Sequence, residues 1–148
     1  MATLFTQIIT GTIPGRFVWS DDVVVAFTTI APITDGHPLV VPRSEFAQFT
    51  EAPDAVLEHL FRVAKRIGIA QQAAWSAPRA ALLVAGFEVP HLHVHVLPAW
   101  DEASLTFACA RHDLPASALD DAAEHLRGAL RAAGHGAAVP ARLQSPEL

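Results

Sequence analysis

Three histidines at alternate positions, His91, His93 and His95, are the residues of this chain whose types and spacing promise chemistry. They fall in the run His91-Leu92-His93-Val94-His95-Val96-Leu97. On an extended strand successive side chains point to opposite faces, so the three imidazoles share one face, about 7 Å from each to the next, while Leu92, Val94 and Val96 take the other. One imidazole on a half-buried strand is commonly a core residue satisfied by a carbonyl; three at strict period two are not. Two chemistries suit such a ladder. A His-x-His pair makes a zinc platform when further ligands arrive. The outer rings, however, hang from Cα atoms about 13 Å apart, which does not fit three nitrogens about 2 Å from one ion. No further Cys, Glu or Asp at paired spacing completes a metal set. The other chemistry is nucleophilic catalysis at phosphorus, in which a neutral imidazole attacks a phosphoryl centre, forms a covalent intermediate and is released by water. His93, the middle ring, is the natural attacker. Its neighbours on the same face hold its tautomer and donate hydrogen bonds to the nonbridging oxygens.

The ladder has to be carried by a sheet. Phe17 to Trp19 and Val23 to Phe27 read as two strands around the acidic turn Asp21-Asp22, and Asp35-Gly36 is a second turn leading into a strand from His37 to Val41, closed by Pro42. Ala80 to Ala85 and His91 to Leu97 read as two more, with Gly86 between them and Pro98 ending the second. From Pro53 to Trp75, Val56, Leu60, Val63, Ile67 and Ala70 recur at helical spacing. The opposite face carries Glu58, Arg62, Lys65 and Arg66, with Glu58 and Arg62 spaced to pair. A last helix is expected with Ser117 as its cap, Leu119, Ala122, Leu126 and Leu130 as its stripe, and Gly134 as its stop. This order predicts an α+β fold in a single domain over residues 1–134. The Ala-, Gly- and Pro-rich segment 135–148 has few large apolar residues and is expected to be a flexible tail.

Composition narrows the function. The chain has 148 residues, 51% of them hydrophobic, which suits one core. Ten Lys and Arg against fifteen Asp and Glu give a net charge of −5, so neither a nucleic acid nor an anionic membrane is an expected partner. The lone Cys109 forms no internal disulfide and reads as core filler. The amino end lacks a basic start and a long apolar run, and a cytoplasmic location is expected.

With these residues in view, the chain resembles the histidine triad family of nucleotide hydrolases and transferases, whose signature of His-apolar-His-apolar-His-apolar-apolar runs here from His91 to Leu97. The likeness extends to Leu4-Phe5-x-x-Ile8-Ile9-x-Gly11-x-Ile13-Pro14, and to Asp21 through Phe27, Ile30, Pro32 and Gly36-His37-x-Leu39-Val40-Val41-Pro42. It implies an antiparallel meander of about five strands with a long helix and a C-terminal helix, and a homodimer joined through a continuous sheet. It is nearest to the nucleoside phosphoramidate hydrolase branch. Carried over by motif position, His93 is the nucleophile, His91 and His37 orient and support it, and His95 contacts the phosphate and assists the leaving group. Leu4, Phe5, Ile8, Ile13, Phe27 and Ile30 match positions that enclose a purine and its ribose. No cofactor is implied.

The departures point to retuned recognition. Thr29 stands where relatives place an Asp or Asn against the ribose hydroxyls, and a hydroxyl makes a weaker contact than a charge-assisted pair. Val84-Ala85-Gly86-Phe87-Glu88 shortens a glycine-rich turn and sets Phe87 and Glu88 where donors to the phosphate are usual. Thr3 and Thr6 occupy a Cys-x-x-Cys position that binds zinc in some relatives, so no structural zinc is expected. A nucleotide phosphoramidate or phosphoester hydrolase is the leading expectation. The alternative is a nucleotide-binding or partner-binding protein with little turnover.

Overall fold

Short runs of β-branched and aromatic residues lay out a five-stranded sheet in this computed structural model, which describes residues 1–148. The strands are β1 (Phe17–Ser20), β2 (Val24–Thr28), β3 (Pro38–Pro42), β4 (Arg79–Leu83) and β5 (Val94–Ala99). Every pairing is antiparallel and the spatial order is β1-β2-β3-β5-β4. Three helices accompany the strands: α1 (Leu4–Ile9), α2 (Asp54–Trp75) and α3 (Ala116–Leu130). The fold is α+β.

Period-two alternation sorts the side chains into two cores. Val24 and Ala26, Val40, Val94 and Val96 face one side, where Leu60, Val63, Ala64, Ile67 and Ala70 of α2 and Ala123, Leu126 and Leu130 of α3 close over them. Val25, Phe27, Leu39 and Val41 face the other side with Phe5 and Ile8 of α1. A register shift between Phe17 and Trp19 lets Phe17 join the second core while Val18 and Trp19 both join the first. A bulge does this by adding one residue to one strand. Each fully buried Leu, Ile or Val contributes about 1.5–3 kcal/mol, and most of them lie beneath α2 and α3. The pocket side is the thinner one.

Several expectations are corrected in detail. The strand expected from His91 begins only at Val94 and runs through Pro98 to Ala99. Pro98 is accommodated opposite Ala80 of the edge strand β4. The N-cap position of α3 is Pro115 rather than Ser117, with no side-chain capping bond, and its buried stripe takes Ala123 in place of Ala122. Glu58 and Arg62 are not among the ion pairs. Cys109 is exposed in a short 3-10 turn, not core filler. The segment 135–148, expected to be a tail, instead packs back: Val139 lies in the main core, and the Leu143 carbonyl accepts from the Phe17 amide at 2.7 Å. Composition misjudged it because much of its anchoring is backbone. Buried Arg127 of α3 donates to the carbonyls of Phe17 and Pro140 at 2.6 and 2.7 Å. No helix is long and apolar enough to cross a membrane.

Candidate functional site

α1 covers only part of its face of the sheet, and the uncovered part is a cavity of about 840 Å³, a size suited to a small molecule. Leu4, Phe5 and Ile8 of α1, Ile13 beyond it, Phe27 of β2, Thr29 and Ile30 after β2, and Glu88 between β4 and β5 all line it. So do His37, His93 and His95. His91 does not: it is fully buried behind the wall.

Each histidine is placed by a specific piece of backbone. His37 follows Gly36, whose φ of +73° is left-handed, and a Cβ there would lie 2.2 Å from the Trp75 ring. Only glycine satisfies both conditions at once. Gln71 of α2, buried, donates to the carbonyls of Gly36 and Val96 at 2.8 Å each, tying the turn that carries His37 to the strand that carries His95. His93 and His95 are brought in by β5 and the residues leading into it.

Hydrogen-bond partners assign the ring protons. The His91 carbonyl can only accept, and it lies 2.7 Å from His93 Nδ1, so that nitrogen carries the proton and Nε2 keeps its lone pair. The Ile33 amide donates to His37 Nδ1 at 3.1 Å, so the His37 proton is on Nε2, which donates to His95 Nδ1 at 2.9 Å. His95 therefore holds its own proton on Nε2. Neither His93 Nε2 nor His95 Nε2 has a partner within the protein. One is a lone pair and the other a donor, and the two rings have centroids 5.0 Å apart. Phe5 packs edge-on against His93 with ring centroids 4.8 Å apart, and Phe107 lies tilted against His95 at 4.9 Å.

Burial keeps these rings neutral. Desolvation first, then the neighbouring His95 and Arg111, holds His37 at about 3. Desolvation and then His93 hold His95 at about 4. His93 is also lowered, by desolvation above all, while its bond to the His91 carbonyl pulls the other way. An imidazole that stays unprotonated is a competent nucleophile.

Two sequence-based roles change. His37 orients His95, not His93, and the tautomer of His93 is held by the backbone of His91 rather than by a flanking ring. The His91 ring itself donates from Nε2 to the Pro42 carbonyl at 2.8 Å and meets Thr3 Oγ1 at Nδ1, at 2.7 Å. Sequence reasoning missed Phe107, Ala110 and His112, which enter the cavity wall from the segment after β5, and Gln144 from the supposed tail. None lies in a periodic pattern, so no local signal marked them. Phe87 sits at the wall almost wholly exposed, at 98%. Thr29 Oγ1 accepts from the Ala31 amide at 3.1 Å, which occupies part of its bonding capacity.

The family model for the HIT domain matches residues 10–101. The chain belongs to the histidine triad, or HIT, family. An uncharacterised HIT-like protein of Saccharolobus solfataricus is 38% identical over 104 residues, covering 67% of this chain and 75% of that one. Among solved structures, a zinc-bound histidine triad protein from Mycobacterium smegmatis superposes with a TM-score of 0.78 at 24% identity, covering 92% and 98% of the two chains. A hypothetical histidine triad nucleotide-binding protein from Sulfolobus tokodaii gives 0.75 at 26%, covering 86% and 91%. The HIT fold here does not supply a zinc ligand set around Thr3 and Thr6. Their hydroxyls are not thiolates, and they are already hydrogen-bonded to His91 and Glu45.

Proposed function

We propose that this HIT protein is a nucleotide phosphoramidate or phosphoester hydrolase that works through a nucleotidyl-His93 intermediate. The observation that carries the reading is the pairing of a lone pair on His93 Nε2 with a donor on His95 Nε2, both on rings that line one cavity. His93 Nε2 attacks phosphorus and the bond to the leaving group breaks. The His93 ring becomes a phosphoimidazolium whose Nδ1–H still donates to the His91 carbonyl. His95 donates a hydrogen bond to a nonbridging oxygen, where charge develops. Held at about 4, it has no second proton to give at neutral pH, so the departing nitrogen takes a proton from water as its bond to phosphorus breaks and leaves as the neutral amine. Water then adds to phosphorus, the P–Nε2 bond breaks, and a nucleoside monophosphate and one proton are released. Leu4, Phe5, Ile8, Ile13, Phe27 and Ile30 give the base and ribose an apolar enclosure. Thr29 and Glu88 tune recognition of the ribose and the phosphate.

Incubation with an adenosine phosphoramidate tests this. The mass of the His93 peptide is expected to rise by one nucleotidyl group, and His93→Ala is expected to lose both the adduct and turnover. Wild-type turnover with no adduct, or an active His93→Ala, ends the assignment. The second reading, binding with little turnover, is favoured by exposed Phe87 and Glu88 at the rim and by the engaged Thr29 hydroxyl. Calorimetric binding of a nucleotide without hydrolysis across a substrate panel would select it. The working form on either reading is a homodimer, supported by the free edge of β4 and the apolar residues exposed around it.

A further inference from the structure

The end of β3 and the loop after it do more than connect. Two carbonyls grip the triad segment, Pro42 accepting from His91 Nε2 at 2.8 Å and Phe46 from the Leu92 amide at 2.6 Å, while between them Glu45 Oε1 holds the amino-terminal turn, accepting from the Thr3 amide at 2.9 Å and from Thr6 Oγ1 at 2.5 Å. Glu45 thus binds both ends of one turn of chain. Between Thr3 and Thr6 lies Phe5, whose ring packs edge-on against His93. Thr3 Oγ1 reaches His91 Nδ1 at 2.7 Å. With the His91 Nε2 proton committed to the Pro42 carbonyl, Nδ1 is the ring atom that faces the Thr3 hydroxyl and can accept its proton. Thr3 Oγ1 meanwhile accepts from the Thr6 amide at 3.1 Å, which fixes the direction of its hydroxyl.

We propose that Glu45 is a positioning residue for His93, acting through Thr6, Thr3 and His91 on the carbonyl that holds the nucleophile's proton. The inference rests on His93 being the nucleophile of the proposed reaction. Its physical content is a single continuous path: the Glu45 carboxylate holds the Thr3 amide and the Thr6 hydroxyl, the Thr6 amide donates to Thr3 Oγ1, Thr3 Oγ1 meets the His91 ring, and the His91 carbonyl accepts from His93 Nδ1. The path runs through side chains that never line the base pocket as polar contacts, and its outer member is at the surface. The Thr6 bond, then the Thr3 amide, lowers the Glu45 carboxyl below its usual range, consistent with a working carboxylate. Without it the amino-terminal turn is released, Thr3 no longer directs its proton at His91, and the His91 peptide and the Phe5 ring lose their fixed register on His93. His93 then samples the tautomer with the proton on Nε2, which has no lone pair to offer phosphorus.

The experiment combines ring nitrogen-15 NMR of His93 with kinetics on an adenosine phosphoramidate, in wild type, Glu45→Ala, Glu45→Gln and Thr6→Val. Wild type is expected to show one tautomer with Nδ1 protonated. Glu45→Ala and Thr6→Val are expected to show a mixture and a kcat lower by about tenfold, as small misplacements of reacting groups produce. Glu45→Gln keeps an accepting oxygen and is expected to restore most of both. An unmixed tautomer with kcat within about twofold of wild type in Glu45→Ala overturns the proposal. The NMR readout needs no substrate: a tautomer mixture in Glu45→Ala beside a wild type that hydrolyses nothing would keep the positioning role and discard the hydrolase reading.

Discussion

The neutrality of the site histidines makes the protein's stability a function of pH. His37 at about 3 and His95 at about 4 refuse protons that the unfolded chain accepts at 6.5. Where the unfolded state binds more protons than the native one, stability rises with pH. The contribution is therefore complete above pH 6.5 and is lost as pH falls from there toward 4, by up to about 1.4 kcal/mol per pH unit for each such histidine. Denaturant midpoints measured from pH 7.5 down to 5 are expected to fall below pH 6.5, and His37→Asn should flatten that slope even though the variant is less stable throughout. An unchanged slope would show that His37 is not held neutral by the fold. That His93 and His95 share one cavity wall was legible in the residue pattern, because period two and residue type both pointed at one face. The assignment of the protons was not, since it depends on the Ile33 amide and the His91 carbonyl, backbone groups that no side-chain pattern records.

At the level of elements, what was readable is what burial alone decides. The hairpin around Asp21-Asp22, the strand after Gly36 and the long helix follow from apolar spacing, and they lie where that spacing puts them. What was unreadable depends on partners distant in sequence. α1 is six residues held by Thr3 and Glu45, and residues 135–148 are held by Arg127 and the Phe17 amide. Arg127→Met removes the donors to two buried carbonyls and is expected to cost about 2–4 kcal/mol, from the unmade bonds and the desolvated acceptors. Limited proteolysis should then cut within 135–148, and protection equal to wild type would assign the packing of that segment to Val139 alone. Gly36→Ala places a methyl group against the Trp75 ring at a left-handed φ. It is expected to destabilise by about 2–4 kcal/mol through strain and overpacking and to displace His37 from His95. Chemical denaturation checks the first, and loss of the single His95 tautomer in ring nitrogen-15 NMR, which the His37 bond at Nδ1 otherwise fixes, checks the second.

For the molecule as a whole, the two sheet edges differ. β1 is backed by α3 and by the returning C-terminal segment through the Phe17 amide. β4 leaves its outer backbone unpaired, with its own Leu82 and the following Val84 exposed, and Phe61 and Ile69 of the adjacent α2 are exposed as well. Gly68 brings α2 close to this strand, since a Cβ there would be 3.0 Å from that of Ala80, so helix and edge present a common surface. An uncovered apolar edge is a template for another chain unless something occupies it. A second copy would satisfy it by symmetry, because the same strand and helix can pair with themselves about a two-fold axis. Light scattering is therefore expected to give twice the 15.8 kDa chain mass, and Leu82→Asp with Ile69→Asp to halve it, since a carboxylate on either element would be buried without a partner. Both substitutions lie outside the cavity wall, so the doubly substituted monomer should keep an intact His93 tautomer while its thermal midpoint loses its dependence on protein concentration. A wild-type mass of 15.8 kDa at all concentrations would mean that this edge is protected by its shortness rather than by a partner.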